Sequence, residues 1–216
     1  DLGYGFGYPL FNFYPPMPYL VGQVFRSVGF VFTTTVKLTA VTQIILSGFF
    51  MFLLAASIFG PLAGLISALF YTYAPYHALN IYVRGAMNEA WSAVFFPLIF
   101  YFAKKTIQKP KSKAFIGLSL AFSGLLLSHN PMALTFTPFL AVWCLFWLIK
   151  QSKKLKTTAV IKLILAGILS LSLSAFYTLP VIFESKFVQI ESMFRNYYHY
   201  TVHFTGFFQL FISNFW

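Results

Sequence analysis

Long apolar runs are the feature that most limits what this chain can fold into. Residues 36–57, VKLTAVTQIILSGFFMFLLAAS, contain a single charged side chain, Lys37. The hydrocarbon core of a bilayer is about 30 Å thick, and a helix needs about 20 apolar residues to cross it. Six runs meet or approach this length: 36–57, 61–79, 87–107, 114–129, 132–149 and 158–178. The sequence therefore predicts an all-α fold, a polytopic membrane bundle of about six transmembrane helices.

The composition indicates the same class of protein. Charged residues make up 9% of the chain and hydrophobic residues 59%, whereas soluble domains are about 25% charged. So few charges cannot cover a globule of 216 residues, and most of the surface must therefore face lipid. The single Cys excludes a disulfide within the chain and a Cys-based metal site. Because the chain starts without Met and stops in an aromatic stretch, we interpret it as part of a larger membrane protein.

Most of the net charge of +11 lies at two short loops. Ten of the fifteen Lys and Arg residues flank the loops after the third and fifth predicted spans: Lys104, Lys105, Lys109, Lys111, Lys113, Lys150, Lys153, Lys154, Lys156 and Lys162. The positive-inside rule assigns such loops to the cytoplasm. Membrane topology therefore explains the charge better than a nucleic-acid partner does, and no nucleic-acid binding is predicted.

This orientation places four segments on the extracytoplasmic side, namely residues 1–35, 80–86, 129–131 and 180–216. Every acidic residue and every histidine of the chain lies in or next to them: Asp1, Glu89, Glu184, Glu191, His77, His129, His199 and His203. Arg84 and Arg195 lie there as well. Any acid–base or anion-binding chemistry is therefore expected outside the cytoplasm.

The stretch APYHALNIYVRGAMNEAW, residues 74–91, is the densest set of polar side chains. Pro75 is expected to break the second span, so that His77, Asn80, Tyr82 and Arg84 emerge at the membrane surface. One interpretation is an ion pair between Arg84 and Glu89 at the start of the third span. The other is that Arg84 binds a lipid phosphate, because its planar guanidinium contacts two phosphate oxygens at once.

The stretch SHNPMA, residues 128–133, places an imidazole and an amide between two predicted spans. Asn130 before Pro131 is typical of a helix N-cap, and His129 has either a structural or a catalytic role. No His and carboxylate cluster has the spacing of metal ligands, so no protein-only metal site is predicted. No cofactor is evident, although a divalent cation remains compatible with the sequence.

Aromatic rings dominate both ends of the chain. The segment GYGFGYPLFNFYPPMPYL, residues 3–20, combines glycines and prolines with rings that suit a membrane interface. Its rings, Tyr14 and Tyr19 among them, serve either packing or stacking on a sugar or polyprenyl chain. The tail FESKFVQIESMFRNYYHYTVHF, residues 183–204, is amphipathic and suits the interface plane.

These motifs, with APYHALNIYVRGAMNEA, LLLSHNPMAL and YTLPVIFES, resemble a group of bacterial and archaeal membrane proteins. The group is labelled 6-pyruvoyl-tetrahydropterin synthase-related, although nothing in the sequence suggests pterin chemistry. It is in turn similar to the GT-C superfamily of glycosyltransferases, which use polyprenyl-phosphate sugars as donors. The resemblance covers essentially the whole chain.

The resemblance implies a GT-C-like fold and a first external loop that carries a short interfacial helix, here residues 16–29. The predicted organisation is then a single membrane domain with an external loop over 1–35, a six-helix bundle over 36–179 and an external aromatic loop over 180–216. It also implies a function, the transfer of a sugar from a polyprenyl-phosphate donor to an extracytoplasmic acceptor. A non-catalytic scaffold and a lipid or polysaccharide transporter are the alternatives.

The resemblance implies roles for particular residues as well. Arg84 matches the Arg-Gly motif of the family and Glu89 the carboxylate that follows it. The predicted catalytic residues are Asp1 and Glu89, although the main catalytic carboxylate is expected upstream of this chain. The remaining predicted residues are those that bind the donor phosphate or lipid, Arg84, His77, His129 and Asn130, and those that form the groove wall, Tyr14, Tyr19 and Tyr82. The predicted partners are membrane lipid and the sugar donor, and no oligomeric state is indicated.

Overall fold

The computed structural model describes residues 10–188, 199 and 201. Over these residues the chain forms helices and no strand, which confirms the all-α prediction. Ten α-helices follow one another: α1 Leu10–Phe13, α2 Met17–Ser27, α3 Phe32–Phe59, α4 Pro61–Thr72, α5 Pro75–Ala78, α6 Met87–Gln108, α7 Ala114–Ser128, α8 Asn130–Ile149, α9 Lys153–Leu173 and α10 Ala175–Glu184. A π-helical turn, Leu79–Val83, lies between α5 and α6, and a 3₁₀ turn, Ser185–Phe187, follows α10.

Three helices of the described chain are long and apolar enough to cross a membrane. They are α3 with 28 residues, α8 with 20 and α9 with 21. The predicted spans 87–107 and 114–129 coincide with α6 and α7, but α7 has only 15 residues and α6 carries charges near both ends. The chain is therefore an integral membrane protein by its apolar helices, and the crossing of the membrane by α6 and α7 stays a prediction.

The predicted span 61–79 was wrong in its length. Helix α4 ends at Thr72 after 12 residues, and Ala74 is extended with φ −57° and ψ 131°. Pro75 explains the break, because proline disfavours helical backbone in the residue before it. At a rise of about 1.5 Å per residue, a helix of this length is too short to cross a bilayer.

The last predicted span and the loop after it also needed correction. Helix α9 covers Lys153–Leu173, whereas 158–178 was predicted. The lysines at its start lower the hydropathy but favour helix, so the apolar run began later than the helix. Helix α10 then continues through Pro180 to Glu184, and residues 180–184 are therefore not loop. Most of the predicted aromatic loop 180–216 lies outside the described residues.

Helix α6 is the element around which the core is built. Its side chains pack with those of α7, α8 and α9 in one apolar cluster: Ile99, Ala103, Leu118, Ala121, Leu125, Ala133, Phe136 and Ala166. Two glycines of α7 allow the approach, since Gly117 faces the ring of Phe102 and Gly124 faces the ring of Phe95. Small residues at such contacts are typical of helices packed within membranes.

The two Lys-rich segments lie at the same end of the bundle. Gln151, just after α8, donates a hydrogen bond to the carbonyl of Ile107 near the end of α6. Lys104 is not a loop cation, because it is buried and its Nζ donates to the carbonyl of Ser57 at 2.5 Å, near the end of α3. A cation is favourable at a helix C-terminus. The first residues of α6 and α8 therefore lie at the opposite end.

The chain divides into two compact units, residues 1–178 and 179–216. The first unit contains α1 to α9 and the candidate site described below. Of the second unit the described residues are the remainder of α10, the 3₁₀ turn, and residues 188, 199 and 201. The residues of each unit contact mainly one another.

Candidate functional site

The break between α4 and α6 exposes Arg84 beside the first turn of α6. After Pro75 the backbone makes one turn of α-helix and then a π-helical turn, in which the N–H of Arg84 donates to the carbonyl of Leu79 at 2.9 Å. Gly85 follows with φ 61°, a left-handed conformation that glycine adopts without a steric cost. The Ala86 N–H then donates to the carbonyl of Asn80 at 2.7 Å. The chain thus reverses within a few residues and starts α6.

Arg84 and Glu89 form the ion pair that the sequence allowed as one of two interpretations. The Nη1 of Arg84 donates to Glu89 Oε1 at 2.9 Å and to Asn80 Oδ1 at 2.8 Å. The hydrogen bond with the Glu89 carboxylate raises the pKa of Arg84, and the hydroxyl of Tyr76 also donates to this carboxylate. The side chain of Glu89 is only 10% exposed, whereas that of Arg84 is 47% exposed. The guanidinium is therefore held in place and still accessible.

His129 caps α8, in the place that the sequence gave to Asn130. Its Nδ1 accepts the backbone N–H of Met132 at 3.3 Å, so the N-cap prediction for Asn130 was wrong by one residue. Asn130 instead points its Nδ2 at the hydroxyl of Tyr177, at 3.1 Å. Because Nδ1 of His129 accepts a hydrogen bond, the neutral ring carries its proton on Nε2. Burial lowers the pKa of His129, which favours this neutral form.

A hydrogen bond from Asn88 ties the first loop to the start of α6. Asn88 is 5% exposed, and its Nδ2 donates to the carbonyl of Pro15 at 2.5 Å. Pro15 is buried, and the neighbouring Tyr14 is 43% exposed. The contact joins residues 73 positions apart in sequence and places the first loop beside the Arg84 turn.

The Arg84 turn, the start of α8 and the first loop surround one cavity of about 400 Å³. Its walls come from the end of α1 and the loop after it, the turn before α6, the first turns of α6 and α8, and α10. The residues that line it are Phe13, Tyr14, Pro15, Arg84, Ala86, Asn88, Glu89, His129, Asn130, Pro131 and Tyr177. The N-terminal ends of α6 and α8 thus meet at one cavity, and a helix N-terminus favours a bound anion.

Five of the residues predicted for the site line this cavity: Tyr14, Arg84, Glu89, His129 and Asn130. The structure does not bring three others to it. His77 is buried on the side facing α3, where Gln43 Nε2 lies 3.4 Å from its Nδ1 and the ring of Tyr71 packs against it. Tyr82 is 79% exposed. Tyr19 packs edge-on against Tyr14, with ring centroids 6.0 Å apart.

Two of these placements have a direct physical cause. Residues Pro75–Ala78 form a helical turn rather than an extended segment. This turn directs the side chain of His77 toward the bundle. The π-helical turn carries Tyr82 outward, while Arg84 follows it and faces Glu89. Asp1, the remaining predicted catalytic residue, lies outside the described residues.

Three residues that the sequence interpretation did not select belong to the site. Tyr177 is 1% exposed and its hydroxyl also donates to the carbonyl of Phe13 at 3.3 Å. Asn88 holds the first loop, and Tyr76 holds Glu89. A polar tip within an apolar run was the available signal for Tyr177, since a buried hydroxyl usually finds a partner. Tyr76 is 45% exposed, and no such signal marked it. Among the described residues, no group of three or more His, Cys, Asp or Glu side chains is placed to hold a metal ion.

Comparison with known proteins identifies the family. A family described as "6-pyruvoyl-tetrahydropterin synthase related domain; membrane protein" matches residues 11–216. An uncharacterized protein of Lactococcus lactis subsp. cremoris (strain MG1363) is 28% identical over 191 residues, which are 84% of this chain and 31% of that protein. The chain thus spans about a third of the length of this relative. No solved structure matches the chain significantly. The chain belongs to the 6-pyruvoyl-tetrahydropterin synthase related domain family of membrane proteins.

Proposed function

We propose that this chain forms the donor-binding part of a membrane glycosyltransferase, which moves a sugar from a polyprenyl phosphate to an extracytoplasmic acceptor. The observation that carries the proposal is the convergence of Tyr14, Arg84 and His129 on one cavity, although they lie far apart in sequence. The apolar helices next to the cavity suit a lipid-linked ligand. The resemblance to the GT-C superfamily adds the reaction type.

The phosphate of the donor is assigned to the Arg84 side of the cavity. Both hydrogen bonds of Arg84 to Asn80 and Glu89 use one nitrogen, Nη1, and a guanidinium has five N–H donors. Donors therefore remain for phosphate oxygens, which Arg binds through two parallel hydrogen bonds. The Nε2–H of neutral His129 and the N-terminus of α8 add donors on the same cavity.

Glu89 is assigned the positioning of Arg84 rather than the removal of a proton. Its carboxylate accepts hydrogen bonds from Arg84 and Tyr76, and both stabilise the ionised form while occupying Oε1. A carboxylate engaged in this way is a weak base. Of the two predicted catalytic residues, Asp1 is therefore the better candidate for the general base.

The reaction follows from these roles. A hydroxyl oxygen of the acceptor attacks the anomeric carbon of the sugar, and a new C–O bond forms. The bond from that carbon to the phosphate oxygen breaks, and the polyprenyl phosphate leaves with both electrons. The hydroxyl proton passes to the carboxylate base. Arg84 stabilises the negative charge that develops on the departing phosphate.

One observation favours a second function, a scaffold that uses the same fold without catalysis. The Arg84–Glu89 pair satisfies both charges within the protein, and ion pairs of this kind also serve structure alone. In a scaffold the pair would hold the turn before α6, and no donor would bind. In a transferase, removal of the Arg84 charge lowers the rate of sugar transfer. In a scaffold, neither wild type nor the variant transfers sugar.

The test is transfer by the full-length protein in lipid nanodiscs. Radiolabelled undecaprenyl-phosphate sugars serve as donors and an envelope extract as acceptor, with wild type compared with Arg84→Ala. We expect kcat/KM to fall at least about tenfold, because one charged hydrogen-bonding group contributes on the order of 2 kcal/mol or more to transition-state stabilisation. Arg26→Ala is the matched control, since Arg26 is exposed on α2 and, within the described part of the chain, its guanidinium bonds only the nearby Phe30 carbonyl. Equal transfer by Arg84→Ala and wild type would refute the assignment, and absence of transfer from every donor favours the scaffold.

A further inference from the structure

A short hydrogen-bond chain fixes the orientation of the Asn130 amide. The Tyr177 hydroxyl donates to the carbonyl of Phe13 at 3.3 Å, and it receives the Nδ2 of Asn130 at 3.1 Å. A phenolic hydroxyl has one proton to donate. Because that proton is used on the Phe13 carbonyl, the hydroxyl oxygen only accepts, and the side of the amide that faces Tyr177 must be the NH₂.

The other end of the amide is left without a partner. Asn130 Oδ1 is buried and accepts no hydrogen bond from the described residues, although Asn130 lines the cavity. A buried acceptor without a donor costs stability, and native proteins contain few of them. At a cavity wall such an atom is satisfied by a ligand that supplies an O–H or N–H group.

This polarity differs from that of the Arg84 side. A phosphate diester is a monoanion, and a phosphate monoester is a dianion. Both offer oxygen acceptors to the protein, and these suit the donors of Arg84 and His129. The same oxygens would repel Asn130 Oδ1. The cavity therefore presents hydrogen-bond donors to an anion and, at Asn130, an acceptor to a hydroxyl group.

We propose that Asn130 Oδ1 accepts a hydrogen bond from a hydroxyl group of the ligand, and that Tyr177 is the positioning residue that keeps the amide turned this way. Asn130 then recognises the sugar of the donor rather than its phosphate, in contrast to the phosphate-binding role predicted from the sequence. This assignment rests on the proposed function, since it names the part of the same donor that Asn130 contacts. Tyr177 acts through Asn130 and makes no contact with the reacting atoms.

The test is a ratio of affinities measured on the full-length protein in nanodiscs. Two probes with the same phosphate charge are compared: undecaprenyl methyl phosphate, a diester without a sugar, and undecaprenyl phosphate carrying glucose, mannose or arabinose, whichever wild type binds most tightly. The ratio of the two dissociation constants isolates the sugar, because changes in folding or in lipid contacts affect both probes alike. Wild type is expected to bind the sugar-bearing lipid about tenfold more tightly than the methyl diester.

The variants separate the roles of the two residues. Asn130→Ala is expected to bring the ratio close to one, because the acceptor is lost. Asn130→Asp is expected to keep the preference, because a carboxylate oxygen remains an acceptor, even if its charge weakens both probes. Tyr177→Phe is expected to reduce the preference about threefold or more, because the amide is no longer anchored, and it also serves if Asn130→Ala does not fold.

The outcomes are decisive. A wild-type ratio of one for all three sugars, or an unchanged ratio in both Asn130→Ala and Tyr177→Phe, would overturn the inference. Arg84→Ala is measured in parallel and is expected to weaken both probes equally. If Arg84→Ala leaves both affinities unchanged, the proposed function fails, and this result is independent of the ratio that tests Asn130.

Discussion

Replacing Asn88 with Ala removes the side chain that ties the first loop to α6. Asn88 is 5% exposed and its Nδ2 lies 2.5 Å from the carbonyl of Pro15, a buried residue. The substitution leaves that carbonyl without its side-chain donor, and an unsatisfied buried group costs about 1–3 kcal/mol. We expect the free energy of unfolding to fall by this amount. If the whole cost falls on opening of the loop that bears Tyr14, the equilibrium constant for this opening should rise about 5- to 150-fold.

The assay is amide hydrogen exchange in nanodiscs, followed by peptide mass spectrometry over residues 10–20. Exchange of this peptide should accelerate in Asn88→Ala, whereas peptides from α7 and α8 should change little. Ser27→Ala is the matched control, because it removes a side-chain hydrogen bond of 2.9 Å to the Gln23 carbonyl within the exposed helix α2. Unchanged exchange over residues 10–20 in Asn88→Ala would refute the claim that this contact holds the cavity wall.

Two further predictions concern packing and pH. Gly124→Ala should lower the free energy of unfolding by about 1–3 kcal/mol, because its Cβ would overlap the ring of Phe95. Gly167→Ala, with open space around it, should be neutral or stabilising in the same denaturation assay. Burial lowers the pKa of His129 from its ordinary value of 6.5, so the unfolded state binds the proton more readily. Stability should therefore be complete above about pH 6.5 and fall at lower pH. This loss should shrink in His129→Asn, which keeps an N-cap oxygen and cannot titrate; an equal pH dependence in both proteins would contradict it.

The helices of the bundle were predictable because their signal is local. An apolar run long enough to cross a bilayer has few structures available to it, since every buried backbone group must be hydrogen-bonded within the segment. Helix α3 illustrates this, because its predicted core 36–57 lies within the observed Phe32–Phe59. The ends were less predictable. Lysines that begin α9 are polar but helical, and Pro75 ended α4 earlier than its apolar composition suggested.

The site was predictable in part, for a different reason. Charged and polar side chains are costly in lipid, so Arg84, Glu89 and His129 stood out from their apolar surroundings, and all three line one cavity. The hydrogen bonds that build its walls were not predictable. Tyr177 and Phe13 are 164 positions apart, and nothing in a single sequence pairs residues at such a distance. His77 stood out as strongly as Arg84, but the local winding of the helix turned it toward Gln43.

Arg84 is expected to bind the phosphate of a polyprenyl lipid. Binding of undecaprenyl phosphate and of undecaprenol, which lacks the phosphate, is measured for wild type, Arg84→Ala and the control Arg26→Ala in nanodiscs. Wild type and Arg26→Ala should prefer the phosphorylated lipid by about tenfold or more, and Arg84→Ala should lose most of this preference. A preference for the phosphorylated lipid that survives intact in Arg84→Ala would contradict the central claim.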